Sequence, residues 1–175
     1  MQRLFVALWP DHEVREQLVD IQTEFGLSTL GRLVPARNLH ITLQFLGEVP
    51  PAEVEPARQF VRDLRFPPFA IEFDCVGSWP RNEVAWVGSE NPCQQLDDLV
   101  AKIRGGLPDG SRKSRNFVPH ITLARKVRRK LYQPIKPMRW SVSRVDLVRS
   151  VLDSQGAQYE SIAHCAGVGS VDKLR

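Results

Sequence analysis

Leu39-His40-Ile41-Thr42-Leu43-Gln44-Phe45-Leu46 alternates along its whole length. Leu39, Ile41, Leu43 and Phe45 fall on one side of an extended chain, and His40, Thr42, Gln44 and Leu46 on the other. This is the period of a half-buried strand whose open side carries polar groups at successive positions. The same parity assigns Phe45 to core packing rather than to base stacking. The tetrapeptide at its heart recurs 80 residues later as His120-Ile121-Thr122-Leu123, within a second strand expected around Val118–Ala124. An Arg-Asn pair precedes each copy, at Arg37-Asn38 and at Arg115-Asn116.

Outward from these strands the chain alternates between helix and strand signals, with no linker long enough to divide it. Arg3–Trp9 is a short apolar run stopped by Pro10, read as a buried strand. Asp11 caps a helix with Val14, Leu18, Ile21 and Phe25 at helical spacing. A second helix spans 52–65 on Val54, Ala57, Val61 and Leu64, where Pro56 is expected to break or kink it. Phe69–Val76 and Val84–Val87 read as strands joined through Gly77–Asn82. Asn91-Pro92 marks a third helix start, and Gly105-Gly106 its end. A polar loop at 108–116 precedes the second motif, and a basic, proline-containing segment at 125–137 comes after it. Strands around Arg139–Leu152 and Ala157–Ala163 close a single domain over residues 1–175. Helices mixed with hairpin-like strands argue for an α+β fold with largely antiparallel sheets.

With 42% hydrophobic and 25% charged residues, the 175-residue composition excludes a collagen-like or largely disordered chain. No apolar run reaches the roughly 18–20 residues of a membrane span, and the start is too short in apolar residues for a signal peptide. Three scattered cysteines and no CxxC pair argue against a disulfide framework and for a reducing cytoplasm. A monomer is the default. Residues 111–149 hold twelve basic residues and one acid, so that stretch is +11 and the remainder −7. Such segregation points to a polyanionic partner such as RNA, DNA or a phosphorylated metabolite, beside the plainer reading of a solvated basic loop around 126–130.

Two of only four histidines lie in the repeated tetrapeptide. In each copy His and Thr stand at i and i+2, on one strand face. If the two halves are related by an approximate two-fold axis, two imidazoles and two hydroxyls meet in one cleft. That set suits acid–base catalysis at phosphorus: a neutral imidazole takes a proton from the attacking oxygen and an imidazolium gives one to the leaving oxygen. Thr42 and Thr122 donate hydrogen bonds to the phosphate oxygens. A metal site fits less well, because His-x-Thr supplies one good ligand per strand. His12 and His164 match no motif and read as structural or exposed. Trp9, Trp79, Trp86 and Trp140 are read as core or rim, although each ring could stack on a base.

Paired H-x-T-x motifs at this spacing resemble those of the two-histidine phosphoesterases, and the flanking residues resemble the RNA 2′,3′-cyclic phosphodiesterases, or 2′-5′ RNA ligase-like proteins. The similarity covers nearly the whole chain. It runs from Arg3-Leu4-Phe5-Val6-Ala7-Leu8 through Asn38–Gly47, Val84-Ala85-Trp86-Val87-Gly88 and Pro119–Arg125 to Leu147-Val148-Arg149-Ser150. The resemblance implies a bilobal, pseudo-two-fold-symmetric α+β fold, with two mainly antiparallel sheets flanked by helices and the active-site groove between lobes. It also implies hydrolysis of RNA 2′,3′-cyclic phosphate ends to 2′-phosphate ends, with no metal and no cofactor. His120 is then the general base, His40 the general acid, and Thr42 and Thr122 bind phosphate. Arg125 is implied as a further phosphate or base ligand. Strand alternation opposes this, since the fifth residue after His120 faces away unless a bulge or the strand's end turns it back. Alternatives are 2′-5′ ligation by the reverse chemistry, a small cyclic nucleotide or ADP-ribose cyclic phosphate as substrate, and a non-catalytic RNA-binding module.

Overall fold

Alternation of apolar residues builds a sheet with one helix-covered face. Strand β1 (Gln2–Leu8) sends Leu4, Val6 and Leu8 into the main core and Phe5 and Ala7 to the opposite side. Asp11 caps helix α1 (His12–Glu24), its carboxylate accepting the Val14 N–H at 2.9 Å. A single helical turn α2 (Leu27–Leu30) and a two-residue strand β2 (Arg32–Leu33) lead to β3 (Ile41–Val49), the strand of the first motif. Next in the chain are α3 (Pro51–Asp63), β4 (Phe69–Trp79), β5 (Val84–Gly88), α4 (Gln94–Gly106), β6 (His120–Arg125), β7 (Tyr132–Val142), β8 (Arg144–Asp153) and β9 (Gly156–Ala166). The computed structural model describes residues 1–91, 93–108, 117–154 and 156–168. Arg112, Lys113, Arg115 and Asn116 of the basic stretch therefore lie outside the described residues, as does Pro92.

The fold is α+β and the strand pairings are antiparallel. The strands do not form two separate sheets. They join in one, in the order β7-β4-β5-β6-β3-β1-β8-β9, with β2 beside β6. Its two halves meet through β3 and β6 at the single pair Ile41–Ile121, so the two sheets that the resemblance implies are half-sheets joined at one point. Helix α1 packs on β6 and β7, α3 on β8 and β9, and α4 on β3 and β4. Their apolar stripes close one continuous core with the inward residues of the sheet.

Local departures from the sequence expectations have physical causes. Helix α3 runs through Pro56, starting from Pro51 in its first turn. Helix α4 starts at Gln94, after Cys93, because Asn91 turns its side chain onto the Asp74 carboxylate at 3.0 Å instead of capping. The expected basic loop around 126–130 is irregular, and the second half of the proline-containing segment 125–137 belongs to β7 from Tyr132 onward. Pro134 and Pro137 are tolerated there because β7 is an edge strand, where a missing N–H costs no ladder bond.

Candidate active site

Ile41 and Ile121 occupy the same place in the two copies of the motif, and they are the pair that joins the half-sheets. Both are buried in the core. Their flanking residues must therefore emerge on the other face, so His40, Thr42, His120 and Thr122 line one groove. Each motif strand is held from behind by a buried glutamine. The Gln22 amide on α1 donates to the carbonyls of Val34 and Leu123, at 2.9 and 2.7 Å. The Gln44 amide donates to those of Leu107 and Pro108 beyond α4, at 3.2 and 3.0 Å. Gln44 thus leaves the open face on which alternation placed it.

A β-bulge succeeds each motif. Between β1 and β3 the register steps from Ala7–Thr42 to Val6–Gln44, skipping Leu43. Between β5 and β6 it steps from Trp86–Thr122 to Ala85–Ala124, skipping Leu123. One extra residue exchanges the faces of everything beyond it. Leu43 and Gln44 are consequently both buried, as are Leu123 and Ala124. The fifth residue after each histidine returns to the groove. For the first motif this is Phe45, which is 53% exposed and tilts against Phe5 at 6.1 Å, so it is not a core residue. For the second it is Arg125, which parity alone had turned away. Gly31 lets β2 approach here: a Cβ on it would stand 2.4 Å from the Arg125 carbonyl oxygen.

The imidazoles are anchored alike. His40 Nδ1 lies 2.7 Å from the Asn38 carbonyl and His120 Nδ1 lies 2.8 Å from that of Val118. A carbonyl can only accept, so in each neutral ring Nδ1 carries the proton and Nε2 presents a lone pair. The environments then diverge. His40 Nε2 stands 3.0 Å from the Thr42 hydroxyl, which donates to it. His120 Nε2 has no such bond to Thr122 among the described residues. Burial pushes His40 down from 6.5 to about 4, partly offset by the Asn38 carbonyl and reinforced by the charges of Arg125 and protonated His120. Burial first, and then Arg125, also lowers His120, against the pull of the Val118 carbonyl. In the free protein both rings are neutral at pH 7.

Aromatic side chains surround the pair. Phe5, Trp9 and Tyr159 lie 5.2, 4.9 and 5.4 Å from the His40 ring. Trp79 meets His120 edge-on at 4.6 Å and packs against Trp86 at 5.1 Å. The expectation of core or rim holds for Trp140, which is buried against Phe73. It holds also for Trp9 and Trp79, which are half-buried at the rim, where they touch the two motif histidines. The Asn38 amide donates to the Ala157 carbonyl at 3.0 Å, tying the β8–β9 hairpin to the residue that orients His40. His12 and His164 are exposed and stand outside the groove.

The groove measures about 1860 Å³. Its charged lining residues among those described are all arginines: Arg3, Arg32, Arg37, Arg81, Arg104 and Arg125. Only Arg125 belongs to the 111–149 stretch that carries the sequence's excess of positive charge. Among the described residues no group of three or more His, Cys, Asp or Glu side chains gathers as metal ligands, and no helix is long and apolar enough to cross a membrane.

Known proteins resemble this chain in sequence and in fold. The RNA 2′,3′-cyclic phosphodiesterase of Escherichia coli strain K12 is 36% identical over 143 residues, 80% of this chain and 81% of its own. The crystal structure of E. coli LigT in its apo form superposes with a TM-score of 0.85 at 31% identity, covering 96% of this chain and 98% of that one. E. coli LigT complexed with 3′-AMP matches at a TM-score of 0.83 and 30% identity, over 96% of this chain and 99% of that one. The model of the 2′-5′ RNA ligase superfamily matches residues 10–153, and the chain belongs to that superfamily.

Proposed function

We propose that the chain hydrolyses the 2′,3′-cyclic phosphate at an RNA end to a 2′-phosphate, using His120 as general base and His40 as general acid. The observation that carries this reading is the pair of Nδ1-anchored imidazoles on either side of the Ile41–Ile121 seam, sharing one groove with Arg125. The similarity to a named RNA 2′,3′-cyclic phosphodiesterase and to a protein crystallised with 3′-AMP supports the substrate class.

The division of labour rests on the asymmetry of the two rings. His120 Nε2 is free to take a proton from water as the water oxygen bonds to phosphorus. The bond from phosphorus to the 3′ oxygen then breaks, and that oxygen takes the proton of His40 Nε2. Bound phosphate supplies the negative charge that raises both depressed imidazoles. The rings of Phe5, Trp9 and Tyr159, 4.9–5.4 Å from that of His40, add a cation–π attraction once His40 is protonated, against the larger cost of its burial. Once His40 is protonated, the Thr42 hydroxyl turns from its ring to a phosphate oxygen, opposite Thr122. Arg125 offers a planar fork to the same oxygens. Exchange with solvent resets the two protons.

The test is hydrolysis of an oligoribonucleotide ending in a 2′,3′-cyclic phosphate, in EDTA, with the product isomer identified by phosphorus NMR. A 2′-phosphate from the wild type, with the rate cut about 10²–10⁴-fold in both His40→Ala and His120→Ala, is expected. A 3′-phosphate product, or turnover unaffected by either substitution, refutes the reading.

A further inference from the structure

The groove separates its cations in a way that hydrolysis of one phosphate does not require. Among the described residues five arginines form ion pairs (Arg58, Arg62, Arg128, Arg144 and Arg149), and none of them lines the groove. The six that line it form no ion pair with any described residue, and no described carboxylate shares the lining. Arg32 and Arg125 are directly opposite each other across β2 and β6. Like charges so placed repel and destabilise a sheet. The next strand over, β5, pairs Val84 with Arg125, and Arg81 lies on the turn just before it. Arg32, Arg125 and Arg81 therefore form a row of positions: the first two are partners on strands about 4.8 Å apart, and the third lies on the turn that leads into the next strand. A single phosphate can occupy Arg125; the rest of the row has no use in that step. The groove volume also exceeds the roughly 300–1,000 Å³ of an ordinary small-molecule pocket.

We infer that Arg32 and Arg81 form a track for the backbone phosphates preceding the reacting end of a single-stranded RNA, so that the protein selects oligonucleotide over mononucleotide cyclic phosphates. This rests on the hydrolytic reading above and assigns the substrate's length to residues outside the reacting centre. Each phosphate held releases counterions and adds about −0.7 to the slope of log affinity against log salt. An exposed apolar ring at Phe45 gives the strand a stacking surface on the other side of the seam.

The experiment compares kcat/KM for adenosine 2′,3′-cyclic phosphate and for a hexaribonucleotide ending in the same group, in wild type and in Arg32→Gln/Arg81→Gln. The hexamer is expected to exceed the mononucleotide by about tenfold or more, one charge-assisted contact being worth about that factor. The double variant is expected to lose this advantage while turning over the mononucleotide at the wild-type rate. Equal kcat/KM for both substrates in the wild type overturns the track, as does an equal loss on both in the variant. A second measurement is independent of turnover: the salt dependence of hexamer binding by fluorescence anisotropy. A slope shallower by about 1.4 in the double variant supports the track, and an unchanged slope overturns it. If neither substrate is hydrolysed, the hydrolytic reading fails and the salt slope still decides the track.

Discussion

Lowering the pH below neutrality is expected to raise kcat/KM. Catalysis needs one imidazole charged and one neutral, whereas both rings are neutral at pH 7 in the free protein because burial pushes His40 to about 4 and lowers His120 below 6.5. The singly protonated pair is most populated between its two macroscopic values, and with both imidazoles lowered this places the optimum of kcat/KM on the acid side of neutrality. Above the higher value the active form declines about tenfold per pH unit. The phosphodiester keeps its single negative charge throughout, so the profile reports the protein. The assay is kcat/KM on a cyclic-phosphate-ended oligonucleotide between pH 4.5 and 8, with circular dichroism to confirm folding at each point. An optimum above pH 7, or a flat profile, refutes the proposed pairing of a depressed base with a depressed acid.

Replacing Arg125 by Gln removes a cation that lowers both histidines. It is expected to shift the pH optimum upward while kcat/KM falls about 10²–10³-fold, as for loss of one donor to developing charge; an unmoved optimum contradicts the contact. Folding stability carries the same signature. His40 binds a proton near 6.5 when unfolded but only near 4 when folded, so its contribution is intact above 6.5 and is lost as pH falls through that window. Urea melts at pH 7.5 and 4.5 are expected to differ less in His40→Asn than in wild type. Gly77→Ala places a Cβ 2.4 Å from Trp86 Cζ2 and is expected to cost about 1–3 kcal/mol in thermal unfolding; an unchanged Tm contradicts the close packing of the indole. Phe45→Ala is expected to raise KM for RNA about 5–100-fold by loss of a stacking surface, with the exposed ring leaving Tm within about 2 °C.

The motif residues were legible because a strand has a strict period of two and because the same four residues occur twice. His40 with Thr42, and His120 with Thr122, share a face in any extended chain, and the structure places all four on one groove. The period then misleads beyond Thr42 and Thr122. The bulges at Leu43 and Leu123 have no glycine or other local mark, and each reverses the face of the residues beyond it. Phe45 was thereby assigned to the core, and Arg125 was turned away from a site it lines. The tryptophans beside the histidines come from just after β1 and from the end of β4, strands that no local pattern registers against the motifs. The charge count located the excess of cations in 111–149, yet among the described residues five of the six groove arginines come from elsewhere in the chain. Only tertiary structure separates arginines paired with carboxylates from those left to meet a ligand. The joining of two half-sheets at Ile41–Ile121 was hidden for the same reason: a single paired position leaves no periodic trace.

The division between acid and base is tested most directly with a substrate in which sulfur replaces the 3′ oxygen of the cyclic phosphate. A thiolate leaves without being protonated, so a missing general acid no longer matters, whereas a missing general base still does. His40→Ala is expected to approach wild-type turnover on the sulfur substrate after losing about 10²–10⁴-fold on the oxygen one, while His120→Ala stays slow on both. Rescue of His120→Ala in place of His40→Ala, or rescue of neither, would contradict the assignment.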